Sequence, residues 1–346
     1  MVKLIERVLI VGLGSIGKRH LRLARGLIPN ADIRVLRHQN NNEEHEYSNG
    51  SFNNLDEAVA FKPQIAVIAS PASFHVSTSQ ALAENGVHLL VEKPLSSSPS
   101  GVSRLLETCR DKNLVLLTGY NLRFLPSLQR YRDLLDERII GNIFSVRCEI
   151  GQYLPTWRPD TDYRMSVSAR SEMGGGVLLE LSHELDYLGW IFGEVEWIKA
   201  TLSQQSELEI DVEDSAHLTL GFQPKSNNRQ LIAQVNLDFI RHDTTRICTA
   251  IGEKGSLRWN GLNGDVSFYP AVSNEWLEVF SHLHHRDESY LAEWKNFIEC
   301  VVQHKQPLIT GEDGLKVLEI IEAARSSDVA GGQFCNVSSV PIMNIS

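Results

Sequence analysis

Short apolar strands alternate with helical segments through about the first 120 residues, and this pattern limits the possible fold more than any other feature of the chain. Strands are predicted over 7–11, 33–36, 65–69, 87–91 and 114–118, and helices over 15–27, 74–85 and 99–112. Strands that alternate with helices form βαβ units, because parallel strands need a crossover connection and a helix supplies it. The segment therefore predicts a doubly wound parallel sheet of the Rossmann type.

A glycine-rich loop joins the first predicted strand to the first predicted helix. It reads Gly12-Leu13-Gly14-Ser15-Ile16-Gly17. In this context the glycines allow a tight turn, close approach of the backbone to a pyrophosphate, and close packing of the helix on the strand. The predicted cofactor contacts in this loop are Gly12, Gly14, Ser15, Ile16 and Gly17. A βα turn that binds no ligand is the alternative.

Arg37 and His38 follow the second predicted strand. In NAD-binding proteins a carboxylate at this position holds the ribose hydroxyls, whereas an arginine there can accept the 2′-phosphate of NADP. We therefore expect Arg37 and His38 to contact a nicotinamide dinucleotide. NAD and NADP both remain open, with NADP favoured.

The tripeptide Glu92-Lys93-Pro94 follows the predicted strand 87–91. The proline keeps the backbone of Lys93 extended and so directs its side chain. Beside an oxidised nicotinamide, a partly desolvated lysine can exchange a proton with a substrate hydroxyl near neutral pH. Lys93 is therefore a candidate catalytic residue, and a solvated lysine in a loop is the alternative.

A triple glycine at 174–176 precedes a predicted helix over 177–192. At about 100° per residue, the side chains of Glu180, His183, Asp186 and Tyr187 share one face of this helix, and apolar side chains share the opposite face. The glycines permit close approach of the backbone to a ligand. The polar face predicts an acid/base group at His183, and an ordinary solvated face is the alternative.

Arginine and aromatic side chains are interleaved between residues 147 and 170. Forked guanidinium groups and aromatic planes suit a sugar ring that carries a carboxylate or a phosphate. The predicted substrate contacts in this segment are Tyr153, Trp157, Arg158 and Arg164. A polar loop is the alternative. A second cluster contains His282, His284 and His285, but no carboxylate spacing supports a defined site there, so no metal is expected.

Length and charge set further limits. A chain of 346 residues with 42% hydrophobic content is expected to form two domains, each with a core of its own. The net charge of −10 and the scattered lysines and arginines argue against a nucleic-acid partner. Five separated cysteines without a Cys-x-x-Cys pair indicate reduced thiols. We also expect no signal peptide and no membrane span, and therefore a cytoplasmic protein.

Alternating strands in the second half of the chain indicate a large, mostly antiparallel open sheet in an α/β domain. The expected division is a dinucleotide-binding domain over 1–122, a substrate-binding and oligomerisation domain over 123–328, and a tail over 329–346 with no assigned role. Because the two closing helices are too few to cover both faces of the sheet, we expect a homodimer or homotetramer that assembles through it.

Taken together, these motifs resemble those of the glucose-fructose oxidoreductase/inositol dehydrogenase (Gfo/Idh/MocA) family. The ordered set comprises the glycine loop 12–17, Ala69-Ser70-Pro71 with His75, Glu92-Lys93-Pro94, residues 119–124, the helix with His183 and Asp186, and Gly311-Glu312-Asp313-Gly314. The resemblance implies a sugar or polyol substrate. It also implies further cofactor contacts at Ser70, Pro71, His75, Glu92, Lys93 and Asn121, and substrate contacts at Lys93, Arg123 and His183.

The family's usual catalytic group is the lysine of the Glu-Lys-Pro motif with an Asp and a His four residues apart. Lys93 and His183 match this pattern, but Leu179 lies four residues before His183, so the carboxylate role passes to Glu180 or is absent. The resemblance implies hydride transfer between NAD(P) and a secondary alcohol carbon of a sugar or sugar derivative. An inactive cofactor-binding sensor, or a family enzyme that uses bound NAD(P) for transhydrogenation or glycoside cleavage, is the alternative.

Overall fold

The structure is a computed structural model that describes residues 5–37, 45–224 and 229–339. The chain forms two compact units. Among the described residues, the first unit comprises those within 5–120 and 290–318, and the second comprises those within 121–289 and 319–339. The sequence prediction assigned Tyr290–Leu318 to the second domain, whereas Trp294 and Phe297 from this segment belong to the hydrophobic core of the first unit.

The described residues form the following strands and helices, given in chain order. They are β1 (Arg7–Val11), α1 (Ser15–Leu27), β2 (Asp32–Leu36), β3 (Gly50–Phe52), α2 (Leu55–Ala60), β4 (Ile65–Ile68), α3 (His75–Glu84), β5 (His88–Glu92), α4 (Val102–Asp111), β6 (Leu116–Gly119), α5 (Pro126–Asp136), β7 (Ile143–Gly151), α6 (Val177–Glu180), α7 (His183–Phe192), β8 (Val195–Ser203), β9 (Ser215–Phe222), β10 (Ile232–Asp238), β11 (Thr245–Gly252), β12 (Gly255–Asn260), β13 (Asp265–Pro270), β14 (Leu277–Ser281), α8 (Glu288–Gln303), α9 (Gly311–Val329) and β15 (Cys335–Asn336). Short 3₁₀ turns occupy much of 154–173.

The first unit is built on a parallel sheet that, within the described residues, has six strands in the order β3-β2-β1-β4-β5-β6. Residues 8–11 of β1 and all of β4 are fully buried, which explains why these strands read as continuous apolar runs. Strand order reverses at β1, and ligands of such sheets bind outside the carboxyl ends of the strands at this reversal. The predicted Rossmann architecture is confirmed.

The second unit contains a sheet of nine described strands in the order β14-β13-β12-β11-β7-β10-β9-β8-β15. Neighbouring strands pair in antiparallel fashion except for β7 and β10, which are parallel. The predicted mostly antiparallel sheet is therefore confirmed. In the tail that the sequence left without a role, Cys335 and Asn336 form β15 and extend the sheet beside β8.

One face of this sheet is buried, and the other is more polar than the sequence interpretation assumed. In β10 the side chains of Ala233 and Val235 are fully buried, whereas Gln234 and Asn236 are exposed. The open side of β8 to β10 carries a polar concavity of about 350 Å³. Its lining includes Lys199, Thr201, His217, Thr219, Gln234 and Asn236. Exposed apolar side chains of the described sheet occur at Phe144 on β7, Ile232 on β10, and Leu277 and Val279 on β14.

Candidate functional site

The glycine loop has the backbone geometry that an anion site requires. Gly12 has φ of +88°, and a Cβ there would collide with the backbone of Ala69. A Cβ on Gly17 would collide with the carbonyl oxygen of Gly12. Gly14 caps α1, and no described atom lies within 4 Å of the position its Cβ would occupy. The loop is thus closed on its protein side and open at Gly14.

The start of α1 is suited to negative charge. Its first turn, which is described in full, contains no acidic residue, and the N–H groups of Ser15 and Ile16 precede the first intrahelical hydrogen bond, from Lys18 N–H to the Gly14 carbonyl. Unpaired N–H groups and the helix dipole favour an anion at this position. The loop therefore fits the pyrophosphate of a dinucleotide.

Ser70 and Pro71 follow β4, the strand next to β1 in the sheet. The Ser70 hydroxyl is buried, and within the part of the chain that the structure describes it has no hydrogen-bond partner. A buried hydroxyl without a partner is costly, which is consistent with a polar ligand group beside it. Arg37 follows β2, is half-buried, and donates its backbone N–H to the Phe52 carbonyl. His38 lies outside the described residues.

His75 connects the two loops that follow β4 and β5. Its Nε2 lies 2.7 Å from the Ser70 carbonyl oxygen, and its Nδ1 lies 3.0 Å from the Pro94 carbonyl oxygen. Burial lowers the pKa of this imidazole, and the two carbonyls oppose that effect. Since both ring nitrogens contact protein carbonyls, His75 fixes the positions of Ser70 and Pro94 relative to each other. The Lys93–Pro94 peptide bond, in the loop that follows β5, is cis.

Lys93 immediately follows β5 and is half-buried. Its backbone N–H donates to Oε2 of Glu92 at 3.2 Å, and Oε1 of Glu92 lies 2.6 Å from Nε2 of His20. Because β1, β4 and β5 are parallel neighbours, their carboxyl ends lie at the same edge of the sheet. The first unit thus gathers the glycine loop, Ser70 and Lys93 at one edge of the sheet.

The predicted helix over 177–192 is interrupted. α6 ends at Glu180 and α7 begins at His183, with Leu181 and Ser182 between them. A single helical face cannot be traced across this break. Glu180 and His183 are half-buried, whereas Asp186 and Tyr187 are buried, so the four groups do not form the solvated face that was the alternative interpretation.

Arg123 and Asp186 form a buried ion pair in the second unit. Nε and Nη2 of Arg123 donate to the two Asp186 carboxylate oxygens at 3.0 and 2.6 Å. The exposed fractions of the two side chains are 5% and 1%. A forked, buried pair of this kind engages both carboxylate oxygens. The predicted substrate contact at Arg123 therefore falls on a guanidinium that already binds a protein carboxylate.

Asn121 and Tyr187 also have protein partners. The Asn121 amide donates to the Ser289 hydroxyl at 2.8 Å, and Asn121 is only 6% exposed. The Tyr187 hydroxyl lies 3.1 Å from Sγ of Cys148. Two of the predicted ligand contacts, Asn121 and Arg123, are thus engaged by protein partners in the second unit.

The segment with interleaved arginines lies in the 3₁₀-rich part of the second unit. Arg164 is exposed and pairs with Asp162 and Glu209. Trp157 packs edge-on against Phe239, and Tyr153 packs against His242. Trp157 and Arg158 line a cavity of about 10 Å³, which is space for the centre of one water molecule. The cavity that these two residues line is therefore too small for a sugar ring.

Several polar groups of the structure had no counterpart in the sequence interpretation. The buried Glu184 pairs with Arg246 at 3.0 Å, and the Glu213 carboxylate accepts the Leu178 N–H at the start of α6. Burial raises the pKa of Glu213. These pairs join residues that are distant in sequence, and no local pattern marks them. His282, from the predicted histidine cluster, pairs with Glu288 at 2.8 Å.

A glycine loop, a buried hydroxyl without a described partner and a lysine at one edge of a Rossmann sheet are the features of a dinucleotide-binding enzyme. Two family models cover most of the chain. They are "Oxidoreductase family, NAD-binding Rossmann fold" over residues 6–120 and "Oxidoreductase family, C-terminal alpha/beta domain" over residues 132–334. The protein therefore belongs to the Gfo/Idh/MocA oxidoreductase family, as the motifs had indicated. In the described residues, no helix is long and apolar enough to cross a membrane.

Individual relatives support this assignment. Myo-inositol 2-dehydrogenase from Thermotoga maritima is 26% identical over 285 residues, which cover 75% of this chain and 76% of that protein. Alignments with other curated relatives cover between 35% and 93% of those proteins.

Solved structures share the fold. Levoglucosan dehydrogenase in complex with NADH and levoglucosan has a TM-score of 0.80 at 20% identity, with 98% of this chain and 100% of that chain covered. The WlbA dehydrogenase from Bordetella pertussis with NADH and UDP-GlcNAcA has a TM-score of 0.77 at 20% identity, with 97% and 99% covered.

Proposed function

We propose that the protein transfers a hydride between a nicotinamide dinucleotide and a secondary alcohol or keto carbon of a sugar or sugar derivative. The observation that carries this proposal is Lys93 at the carboxyl end of β5, held by Glu92 at the sheet edge that also bears the glycine loop. When bound, the nicotinamide accepts or supplies the hydride. Every other part of the reaction falls to side chains and backbone groups of this chain.

Three groups of the first unit would hold the cofactor. The N–H groups of Ser15 and Ile16 would bind the pyrophosphate, with Gly14 leaving the space that it needs. The Ser70 hydroxyl, which lacks a described partner, would bind a polar group of the dinucleotide. Arg37 follows β2, where an arginine can bind the 2′-phosphate, so we favour NADP over NAD.

Two residues would act on the substrate oxygen. Lys93 would hold and polarise the reacting oxygen, and His183 would accept its proton during oxidation or donate one during reduction. Glu180 would orient the imidazole, since it is the nearest acid before His183 in the sequence. The partial exposure of Lys93, Glu180 and His183 is compatible with these roles.

The substrate assignment is limited to a sugar-like molecule with an acidic or phosphorylated group. Arg158 supports the anionic preference, because its guanidinium is exposed and has no carboxylate partner within the described ranges. Arg123 and Arg164 contribute less to this argument, since each already binds a carboxylate of the protein. The related structures include one with levoglucosan and one with UDP-GlcNAcA, so neutral and acidic sugars both belong in a substrate screen.

Kinetics of point variants test the catalytic assignment. We expect Lys93→Met and His183→Ala each to lower kcat by about 10²–10⁴-fold, because positioned acid/base groups contribute on that order. Dinucleotide affinity should stay within a few-fold of the parental value, and Glu180→Gln should reduce kcat less. Lys112→Met, which removes an exposed lysine at the end of α4, is the matched control.

Parental turnover in His183→Ala would contradict the role of that histidine. Failure of the wild-type protein to turn over any sugar in the screen, with dinucleotide binding intact, would instead favour a sensor.

A further inference from the structure

A buried cluster behind Lys93 joins three elements of the first unit. It consists of His20 from α1, Glu92 from β5 and Glu293 from α8, whose exposed fractions are 0%, 6% and 0%. One side-chain donor or acceptor atom of each residue lies within 4.8 Å of the other two. Two carboxyl groups so close together in a dry environment need either a cation or a proton, because like charges cannot both remain ionised there.

The protonation state of His20 follows from its neighbours. The indole N–H of Trp294 lies 2.9 Å from Nδ1 of His20. Indole nitrogen can only donate, so Nδ1 must accept and carries no proton. The single ring proton is therefore on Nε2, which donates to Oε1 of Glu92 at 2.6 Å. His20 is a neutral imidazole and brings no positive charge to the two carboxyl groups.

The same hydrogen bond argues against a metal ion as the compensating charge. A metal on Nε2 of His20 would require the ring proton to move to Nδ1. Two N–H groups, one from His20 and one from Trp294, would then point at each other. Oε2 of Glu92 is also engaged, because it accepts the N–H of Lys93. The donor set is thus that of a hydrogen-bonded cluster and does not suit a metal site.

Two other ionisable groups face the cluster. Tyr290, also on α8, packs edge-on against the His20 ring, and burial raises the pKa of its hydroxyl, so that it stays a neutral phenol. The Arg19 guanidinium lies 4.6 Å from the centroid of the Tyr290 ring. Arg19 favours the ionised form of Tyr290, while Glu92 opposes it.

The two carboxyl groups differ in what surrounds them. Glu92 accepts hydrogen bonds from His20 and from the Lys93 backbone. No described donor reaches either oxygen of Glu293. Burial, followed by the charge of Glu92, raises the pKa of Glu293 well above its ordinary value. A buried carboxyl group without donors keeps its proton.

We propose that Glu293 is a neutral, protonated acid that leaves Glu92 as the single carboxylate of the cluster, and that Glu92 in turn holds the backbone of Lys93. Glu293 is thus a positioning residue that acts through Glu92 and does not touch the substrate. Its effect on turnover rests on the proposed role of Lys93. Its protonation state is independent of that role and can be measured separately.

Infrared spectroscopy of the full-length protein measures the protonation state without any turnover. At pH 7 we expect a C=O stretch of a protonated carboxylic acid in the wild type that shifts in D₂O and is absent from Glu293→Gln. Glu299→Gln removes an exposed carboxylate from the same helix and should leave this band unchanged. A wild-type spectrum without the band would overturn the proposal, and so would a metal stoichiometry near one that is lost in Glu293→Gln. Both wild-type measurements stand even if the variant fails to fold.

The pH dependence of kcat measures the positioning role. In the wild type, ionisation of Glu293 at high pH would place a second buried charge beside Glu92, so kcat should fall on the alkaline side. Glu293→Gln mimics the neutral acid, and we expect it to keep a kcat close to that of the wild type without this alkaline fall. Glu92→Gln should lower kcat by about 10²-fold with little change in dinucleotide affinity, because it loosens the hold on Lys93. An unchanged alkaline fall in Glu293→Gln would refute the positioning role.

Discussion

Replacement of Arg123 by methionine should destabilise the second unit without primarily weakening substrate binding. The change removes one partner of a buried ion pair and leaves the Asp186 carboxylate, which is 1% exposed, without its counter-charge. Breaking a buried pair in this way costs about 3–5 kcal/mol. For a unit of this size, a loss of 1 kcal/mol lowers the melting temperature by about 2–4 °C, so we expect a decrease of about 6–20 °C.

Denaturant or thermal unfolding followed by circular dichroism measures this effect, and a double-mutant cycle assigns it to the pair. Arg123→Met combined with Asp186→Leu should destabilise less than the sum of the two single changes, since neither buried charge remains. Arg130→Met on α5 is the matched control. It breaks a pair with Glu137 that is 35% and 56% exposed, and surface pairs contribute only about 0–1 kcal/mol. The reasoning is refuted if Arg123→Met keeps wild-type stability and raises KM for an acidic sugar.

Four further outcomes are expected. Arg37→Asp should weaken NADP binding far more than NAD binding in fluorescence titrations, and equal effects would show that Arg37 does not contact the 2′-phosphate. Arg158→Ala should reduce kcat/KM for carboxylated or nucleotide-linked sugars more than for matched neutral sugars, and a preference for neutral sugars that survives the change would count against the anionic substrate. Light scattering at micromolar concentration should give the mass of a dimer or tetramer, and a monomeric mass would exclude assembly through the sheet. Burial in the folded state raises the pKa of Glu213, so the folded protein binds more protons than the unfolded chain at pH values at and above the ordinary glutamate pKa. The free energy of unfolding therefore falls as the pH rises from the ordinary glutamate pKa through the raised pKa of Glu213. Glu213→Gln should flatten this decline in unfolding experiments between pH 4.5 and pH 8, since Gln can still accept the Leu178 N–H, and a slope equal to that of the wild type would contradict the assignment.

The predicted assembly through the sheet would use a surface that is more polar than the sequence had indicated. The open side of β8 to β10 is lined largely by charged, amide and hydroxyl side chains, and exposed apolar side chains of the sheet lie on β7, β10 and β14. An interface on this sheet would therefore combine polar and apolar side chains. The alternation of apolar and polar residues along the strands predicted that one face of the sheet is buried. It did not predict that the opposite face of β8 to β10 is largely polar.

Local sequence patterns predicted those strands and helices whose formation depends on nearby residues. The alternation of apolar strands with helices predicted the Rossmann sheet, and the predicted helix over 15–27 has the same bounds as the observed α1. Short elements such as β3, with three residues, carry too little pattern to be recognised. The break between Glu180 and His183 was missed, because Leu181 and Ser182 are compatible with a helix and no proline or glycine marks the interruption.

The sequence by itself determined the order of the motifs, the fold class of both units and the place of Lys93 after β5. These properties depend on residue spacing and on the position of glycine and proline, which are visible along the chain. Only the tertiary structure decided the partners of polar side chains. Arg123 pairs with Asp186, and Glu92 meets His20 and Glu293, although the members of each set are far apart in sequence. The free energy of a buried charge depends on the donors and acceptors that folding brings around it, and a linear pattern does not contain that information.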